Sequence, residues 1–239
     1  MQAYFYEPAV FSEGEQYALS AETSRHCITV LRMKAGDHIY LVNGKGQKAD
    51  AEIVLPHKQR TGVRITHVAQ SAPRPVRLFL AVGFTRNRSR NEWLLEKAGE
   101  IGVDVLIPLQ CHNSEREKLN YERMENILVA AMIQSQQAFL PELKRMMKPE
   151  ESLDYFRQLS GGKVLMAHCE EQDKNPLMET LNEEDTLILI GPEGDFSTGE
   201  IGECLAKGAI PVTLGPHRLR TETAAVYACT IFNQKNYAL

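Results

Sequence analysis

Two apolar runs towards the carboxyl-terminal part of the chain are each followed by a glycine–proline loop and then by the start of a helix. Residues 187–190 form the first run, which stops at the Gly-Pro-Glu-Gly segment 191–194. Residues 211–214 form the second run, which stops at Gly215-Pro216, and a helical pattern follows over 221–236. Short unbroken apolar runs of this kind are typical of buried parallel strands. The carboxyl ends of such strands are where ligands bind in open α/β sheets, so the pattern predicts a cleft.

The glycines and prolines have two readings. They make ordinary turns, or they allow the backbone to approach a ligand closely while proline stiffens the loop. Ser197 lies three residues before Glu200, the spacing of a capping box at a helix start. The repetition of strand, loop and helix start, together with the polar residues that follow Gly215, favours a ligand site.

The same residues carry a resemblance to a known family. The segment IGPEG followed by FS-x-x-E-I, and then LGP-x-x-LRTETA, resembles the signature of the SPOUT methyltransferases. It is most similar to the family that methylates N3 of a uridine in small-subunit (16S) ribosomal RNA. The resemblance implies an α/β domain with a parallel sheet and a carboxyl-terminal trefoil knot. It also implies S-adenosylmethionine (SAM) bound in that knot, and a homodimer.

The first 72 residues read as short strands separated by close turns, which predicts a small antiparallel β-barrel. Residues 20–32 read as a short helix with Ile28 and Leu31 facing inward. The pattern Arg25-His26, Val30-Leu31-Arg32 and Lys34 is similar to the PUA-like barrel domain that precedes the catalytic domain in the same family. Two prolines within residues 71–75 indicate a stiff linker. We therefore expect an RNA-binding barrel over 1–72 and a methyltransferase domain over 73–239.

Alternation of strands and helices continues through the second domain, as a parallel sheet requires. Ser89 and Glu92 have capping-box spacing at the start of one of these helices. Just before it lie Arg86, Arg88 and Arg90, which are either a solvated charged face or a phosphate contact. A further strand is predicted over 163–167, and His168, which follows it, is either an ordinary histidine or a cofactor contact.

The resemblance assigns roles to individual residues. It implies cofactor contacts at Ile190, Gly191, Pro192, Glu193, Gly194, Leu214, Gly215, Leu219, Arg220, Thr221 and Thr223, and we add His168 because it follows a strand that borders the same cleft. We expect RNA contacts at Arg86, Arg88 and Arg90, because they follow a strand beside the cleft, and at Arg25, His26, Arg32 and Lys34 on the barrel. For catalysis we expect Arg220, whose guanidinium suits developing negative charge on a base, and Glu222 as a weaker candidate for the proton acceptor. The alternative for Arg218 or Arg220 is a structural ion pair with Glu222. Asp195 and His217 stand where the family usually has glycine and arginine.

Composition excludes several other classes. The formal net charge of −4 excludes a uniformly basic nucleic-acid coat, so RNA binding needs local positive patches. Five scattered cysteines without a C-x-x-C pair argue against a zinc site or a disulfide framework. No apolar run approaches the ~18 residues that span a membrane, and the first ten residues lack the basic start of a signal peptide. The sequence therefore predicts a cytoplasmic protein without a metal.

The sequence thus predicts SAM-dependent methylation of uridine N3 in 16S ribosomal RNA. One alternative is a SPOUT enzyme that acts on another RNA position, such as a ribose 2′-hydroxyl. The other is a non-catalytic RNA-binding protein on the same fold. An intact pair of loop motifs argues against the second alternative, because a pure binder has no need of a cofactor cleft.

Overall fold

The computed structural model describes residues 3–114, 118–171 and 173–237. The chain divides into two compact units. The first comprises Met1–Pro73 together with Val129–Leu140, and the second comprises Arg74–Leu128 and Pro141–Leu239. The segment 129–140, which the sequence assigned to the second domain, therefore belongs to the first unit. Its backbone hydrogen bonds explain this, because Gly46 N–H donates to Ala138 O and Leu140 N–H donates to Gly44 O.

The first unit is built on a five-stranded sheet in the order β1-β3-β4-β5-β2. Its elements are β1 (Tyr4–Tyr6), β2 (Gln16–Ala18), helix α1 (Ala21–Arg25), a π-helical turn (His26–Val30), β3 (His38–Val42), β4 (Gln47–Leu55) and β5 (Gly62–Gln70). Neighbours are antiparallel except β1 and β3, which are parallel. The predicted barrel is thus present as a half-barrel with one parallel pair among its described strands.

Side chains link the two edge strands of this half-barrel. The buried carboxylate of Glu7 accepts hydrogen bonds from Ser20 N–H (3.0 Å) and from the Tyr17 hydroxyl (3.1 Å). A buried carboxylate is tolerated only where donors satisfy it, as they do here. Alternate residues of β3, β4 and β5 point inward to form the core of the unit.

The turn after α1 departs from the sequence prediction. Ile28 packs against the core as expected, but Leu31 is exposed. In an α-helix these two residues would share a face, whereas the wider π-helical turn places an extra residue between successive turns. The expectation that Leu31 faces inward is therefore wrong, and the reason is local helix geometry.

The second unit contains a seven-stranded sheet in which every described pair is parallel. The strands are β6 (Leu78–Gly83), β7 (Val105–Leu109), β8 (Glu142–Leu143), β9 (Lys163–Ala167), β10 (Asn175–Pro176), β11 (Thr186–Ile190) and β12 (Ile210–Thr213). The helices are α2 (Arg88–Ile101), α4 (Pro149–Leu159), α5 (Leu177–Thr180), α6 (Thr198–Ala206) and α7 (Thr221–Tyr237), and α3 (Tyr121–Gln134) begins in this unit and ends in the segment of the first unit. Every residue of β6, β7 and β11 is buried, as unbroken apolar runs predict for strands covered on both faces.

The order of the strands, β10-β12-β9-β11-β6-β7-β8, determines which loops meet. The two strands that precede the glycine–proline loops, β11 and β12, are separated by β9. Helix α7 follows β12 but packs against α2, β6 and β11. The chain therefore crosses back over the carboxyl ends of β9 and β11 after β12. The trefoil knot that the resemblance implies stays a prediction.

Of the two capping boxes predicted at helix starts in this unit, one is confirmed and one is wrong. The capping box of Ser197 and Glu200 at the start of α6 is confirmed. The predicted box of Ser89 and Glu92 is wrong, because Asn87 caps α2 by accepting from Ser89 N–H and Arg90 N–H. Glu92 instead pairs with Arg123, at 2.5 Å between Oε1 and Nε. As a result, α2 begins at Arg88, and Arg88 and Arg90 lie in its first turn rather than in a loop. None of the helices in the described ranges has the length and apolar character to cross a bilayer.

Candidate functional site

A cavity of about 820 Å³ lies within the second unit, at the carboxyl ends of β9, β11 and β12. Both glycine–proline loops form its wall, together with the loop after β9 and the start of α7. The first loop is in direct contact with the start of α7, which follows the second loop, because the buried Thr221 hydroxyl donates a hydrogen bond to Gly191 O at 3.0 Å. The predicted cleft between the two loops is therefore present.

Most of the residues that the sequence predicts to contact the cofactor lie in this wall. They are His168, Ile190, Gly191, Pro192, Glu193, Leu214, Gly215, Leu219, Arg220 and Thr221. Gly194 and Thr223 are not among the lining residues. The carbonyl of Gly194 instead accepts from Asn113 Nδ2 at 3.0 Å, and Thr223 is exposed on α7. Two residues along a helix rotate a side chain by about 200°, so Thr223 faces away from Thr221.

Arg90 also lies in the cavity wall, although the sequence predicted it to be one of the RNA-binding arginines. Its Nη1 is 2.9 Å from Glu193 Oε1, and its Nε is 3.6 Å from Glu222 Oε1. The first turn of α2 thus places a cation between the Gly191–Gly194 loop and the start of α7. The missed signal was Asn87, since the helix start that it caps brings Arg90 to this position.

Glu222 lies behind Arg90 and is not a lining residue of the cavity. Its side chain is only 10% exposed, and Oε2 has no hydrogen-bond partner among the described residues. A buried carboxylate needs a compensating cation, and Arg90 supplies it. The geometry thus favours an anchoring role for Glu222.

Arg218 and Arg220 are exposed residues of the cavity wall. Neither forms an ion pair within the part of the chain that the structure describes. The alternative that one of them pairs with Glu222 is therefore not observed, because Arg90 occupies that place. Arg220 directly precedes α7, and its carbonyl accepts from Ala224 N–H at 2.8 Å, which fixes its backbone.

Asp195 joins two of the loops that form the cavity. Its backbone is left-handed (φ 62°), a conformation that costs a non-glycine residue roughly 1–2 kcal/mol. Its Oδ2 accepts from Cys169 N–H at 2.6 Å, and its Oδ1 accepts from Phe196 N–H at 2.8 Å. The positive φ at this position is one that glycine adopts easily, in agreement with the glycine usual in the family. The carboxylate of Asp195 adds a bridge to Cys169 that a glycine would lack.

The two titratable groups after β9 are held in their neutral forms. Burial and the nearby cation of Lys174 lower the pKa of His168, so its imidazole is uncharged at neutral pH. Burial and the Asp195 carboxylate raise the pKa of the Cys169 thiol. A protonated thiol is a poor nucleophile, which argues against covalent catalysis by Cys169.

The other predicted RNA contacts lie on exposed surfaces. Arg86 precedes α2 and Arg88 is its first residue, and both are exposed. In the first unit Arg25, His26, Arg32 and Lys34 are exposed around the π-helical turn. Within the described residues no group of three or more His, Cys, Asp or Glu side chains is arranged to hold a metal ion.

Comparison with known proteins places this cavity in context. A family model described as "RNA methyltransferase domain" matches residues 72–233, and one described as "RNA methyltransferase PUA domain" matches residues 19–60. The crystal structure of a "probable rRNA-methyltransferase" from Porphyromonas gingivalis is 32% identical, with a TM-score of 0.88 over 98% of each chain. A Legionella pneumophila protein solved with SAM bound is 27% identical, with a TM-score of 0.86 over 99% of this chain and 98% of that chain. Ribosomal RNA small subunit methyltransferase E of Bacillus subtilis is 24% identical over an alignment of 256 positions, which covers 100% of this chain and 98% of the relative.

The family match covers the unit that contains the cavity, and the whole chain aligns with whole relatives. The fold, the glycine–proline loops and the match agree with one another. The chain therefore belongs to the RNA methyltransferase family.

Proposed function

We propose that this protein methylates N3 of a specific uridine in small-subunit ribosomal RNA, with SAM as the methyl donor. The observation that carries the proposal is that the two glycine–proline loops line one cavity, with the start of α7 bonded to the first of them. The ribosomal substrate is supported by the Bacillus subtilis relative, whose name describes it as a small-subunit ribosomal RNA methyltransferase. The N3 position and the homodimer rest on the motif resemblance, and the cytoplasmic location rests on the composition.

The cavity suits SAM in size and chemistry. Its volume of about 820 Å³ lies within the range of ligand and cofactor pockets. SAM has a nucleoside part with hydrogen-bonding edges and an amino-acid part with both charges. The loops offer backbone groups at Ile190 and Gly191, and the wall carries both carboxylates and cations, such as Glu193 and Arg90. Gly215 (φ 125°) has open space where a side chain would begin, so glycine keeps this part of the wall clear.

When bound, SAM supplies an already activated methyl group, so the chain's own residues have to position the acceptor base and stabilise the charge that develops on it. The acceptor N3 of uracil carries a proton and has a carbonyl on either side. Loss of that proton places negative charge on the carbonyl oxygens, which a guanidinium can stabilise. Arg218 and Arg220 are both wall cations without an acidic partner among the described residues. We assign this role to Arg220, which directly precedes α7 and whose backbone is fixed there. Arg90, held by Glu193 and Glu222, would keep the loop and the start of α7 together.

The position of methylation is testable from its effect on base pairing. N3 lies on the Watson–Crick edge, so a methyl group there stops reverse transcriptase, whereas a ribose 2′-O-methyl group leaves that edge intact. Ribosomal RNA from a deletion strain should lose one such stop and the matching N3-methyluridine in nucleoside mass analysis. Re-expression of the wild-type protein should restore both, and re-expression of Arg220→Ala should restore neither. Unchanged nucleosides in the deletion strain would contradict the proposal, and loss of a 2′-O-methyl nucleoside would support the alternative position.

We expect Asp195 to stabilise the cofactor-binding form of the cavity. Asp195→Ala should weaken SAM binding by up to about thirtyfold, since it leaves two backbone N–H groups without their acceptor, at about 1 kcal/mol each. Isothermal titration calorimetry would measure this affinity.

Asp195→Gly is the matched control, because it also removes the carboxylate but relieves the positive φ. It should weaken binding like the alanine variant while lowering the melting temperature less. Wild-type affinity in both variants would show that the bridge to Cys169 has no influence on the site.

A further inference from the structure

The side chain of Asn113, an exposed residue in the loop after β7, reaches across to the loop after β11. Its Nδ2 donates hydrogen bonds to Gly194 O at 3.0 Å and to Asp195 O at 3.1 Å. Both acceptors are carbonyl oxygens, so only the NH₂ end of the amide suits this place. An added Cβ at Gly194 would lie 3.1 Å from the Asn113 Cβ, so glycine allows the close approach. Among the residues that the structure describes, no other donor bonds these two carbonyls.

The two carbonyls belong to a tight turn over 192–195 that forms part of the cavity wall. Asp195 N–H donates to Pro192 O at 2.9 Å and closes this turn. Three of its four residues, Pro192, Glu193 and Asp195, line the cavity, whereas Asn113 does not. Asn113 therefore holds a piece of the cavity wall from outside the cavity.

The loop that carries Asn113 is itself fixed at two points. Gln110 N–H donates to Met147 O at 2.8 Å, in the segment that leads into α4. His112 N–H donates to Glu200 Oε1 at 2.7 Å, at the start of α6. The amide of Asn113 thus projects from an anchored backbone, as a side chain that fixes another loop requires.

The other contacts of the turn are made by its own side chains. Glu193 pairs with Arg90 at 2.9 Å, but its side chain is 51% exposed, and exposed ion pairs add little stability. Asp195 Oδ2 accepts from Cys169 N–H. Asn113 instead holds the main chain at two successive residues, which restricts the peptide group between them.

We propose that Asn113 is a positioning residue for the methyl donor, because it keeps the turn over 192–195 in the form that binds SAM. It acts through the turn and makes no contact with SAM itself. Preorganising a loop in its bound form strengthens binding, because less conformational freedom is lost when the ligand arrives. This inference rests on the proposed function only in taking SAM as the ligand.

SAM affinity of the folded protein is the first measurement. Asn113→Ala should weaken SAM binding roughly five- to thirtyfold in calorimetry, the loss that corresponds to one or two ordinary hydrogen bonds. Asn113→Asp keeps the size of the side chain but replaces the donor by a carboxylate that faces two carbonyl oxygens. It should weaken binding at least as much as the alanine variant. Because Asn113 is exposed, both variants should keep the melting temperature of the wild type.

Hydrogen exchange of the SAM-free protein is the second measurement, and it reports on the turn directly. In Asn113→Ala the amides of residues 192–196 should exchange about threefold faster or more, since the turn opens more often. The amides of β11, which precede the turn, should exchange as in the wild type. A residue that merely stabilised the fold would change exchange in both segments.

His112→Ala is the matched control, because His112 is the exposed neighbour of Asn113 in the same loop. Its hydrogen bond to Glu200 uses the backbone N–H, which the substitution keeps. This variant should bind SAM and exchange its amides like the wild type.

The two measurements together decide the outcome. Weaker SAM binding with unchanged exchange in Asn113→Ala would mean that the side chain contacts SAM directly, and faster exchange with wild-type affinity would mean that the turn does not position SAM. Either result, or no change in both, would overturn the inference.

Methyl transfer to small ribosomal subunits separates this inference from the proposed function. If the wild type transfers methyl groups and Asn113→Ala binds SAM equally well, only the positioning role fails. If the wild type transfers none while Asn113→Ala still loses SAM affinity and opens the turn, only the proposed function fails.

Discussion

Arg220→Ala should lower methyl transfer about 10²- to 10³-fold while SAM affinity stays within about twofold of the wild type. The expected loss is that of removing one preorganised donor that stabilises an oxyanion. SAM affinity should be preserved because the Arg220 side chain is exposed and makes no ion pair with any described residue. Its removal therefore breaks no ion pair that holds the cavity wall. Single-turnover transfer of labelled methyl groups to small ribosomal subunits measures the rate, and calorimetry measures the affinity.

Arg218→Ala is the matched control for this experiment. Arg218 is exposed in the same loop of the same cavity, two residues earlier, and it also has no ion pair among the described residues. It should retain most of the transfer rate. Equal losses in the two variants would mean that general positive charge matters, and an unchanged rate in Arg220→Ala would refute the role that we assign to it.

Gly83→Ala should weaken SAM binding at least about fivefold. Gly83 ends β6, and an added Cβ would lie 2.6 Å from Pro192 N and 2.7 Å from Pro192 Cδ. Carbon atoms do not approach so closely, so the proline segment must move, and Pro192 is part of the cavity wall. Overpacking of this kind costs typically about 1–3 kcal/mol, which corresponds to a loss of about fivefold to a hundredfold or more if it opposes the cofactor-binding form. Calorimetry on folded protein measures the effect.

Gly162→Ala provides a comparison at the amino ends of the strands of the same sheet, opposite to the cavity. Its Cβ would meet Asp185 O at 1.8 Å, between the segments that lead into β9 and β11. It should lower the melting temperature at least as much as Gly83→Ala, while the folded fraction binds SAM with wild-type affinity. If Gly83→Ala bound SAM as the wild type does, Pro192 would not be the part of the wall that positions the cofactor.

Local sequence signals predicted much of the second unit. The strand over 163–167 has the expected bounds, and β11 differs from its expected start by one residue. Both were recognisable because a buried parallel strand is an unbroken apolar run that ends in a glycine or another turn signal. The Ser197 cap was recognisable because its hydrogen bonds join residues only three apart.

The wrong predictions for Leu31 and for the start of α2 came from local helix geometry and capping, whereas the features that the sequence did not predict depend on contacts between distant residues. No periodicity revealed that β9 lies between β11 and β12, since strand order depends on packing across the whole sheet. The pairing of Arg90 with Glu193 joins residues 103 positions apart, so it had no local signature. The segment 129–140 likewise joins the first unit through contacts with residues 44–48, which lie far from it in the chain.

The amino-acid sequence by itself thus determined the two loop motifs, the strands that end at them and the family to which the chain belongs. These depend on backbone propensities and hydrogen bonds within a few residues. The tertiary structure decided that the loops share one cavity, that Arg90 joins their wall, and that Leu31 faces solvent. Those outcomes follow from strand order and helix geometry, through which residues far apart in the chain acquire common neighbours.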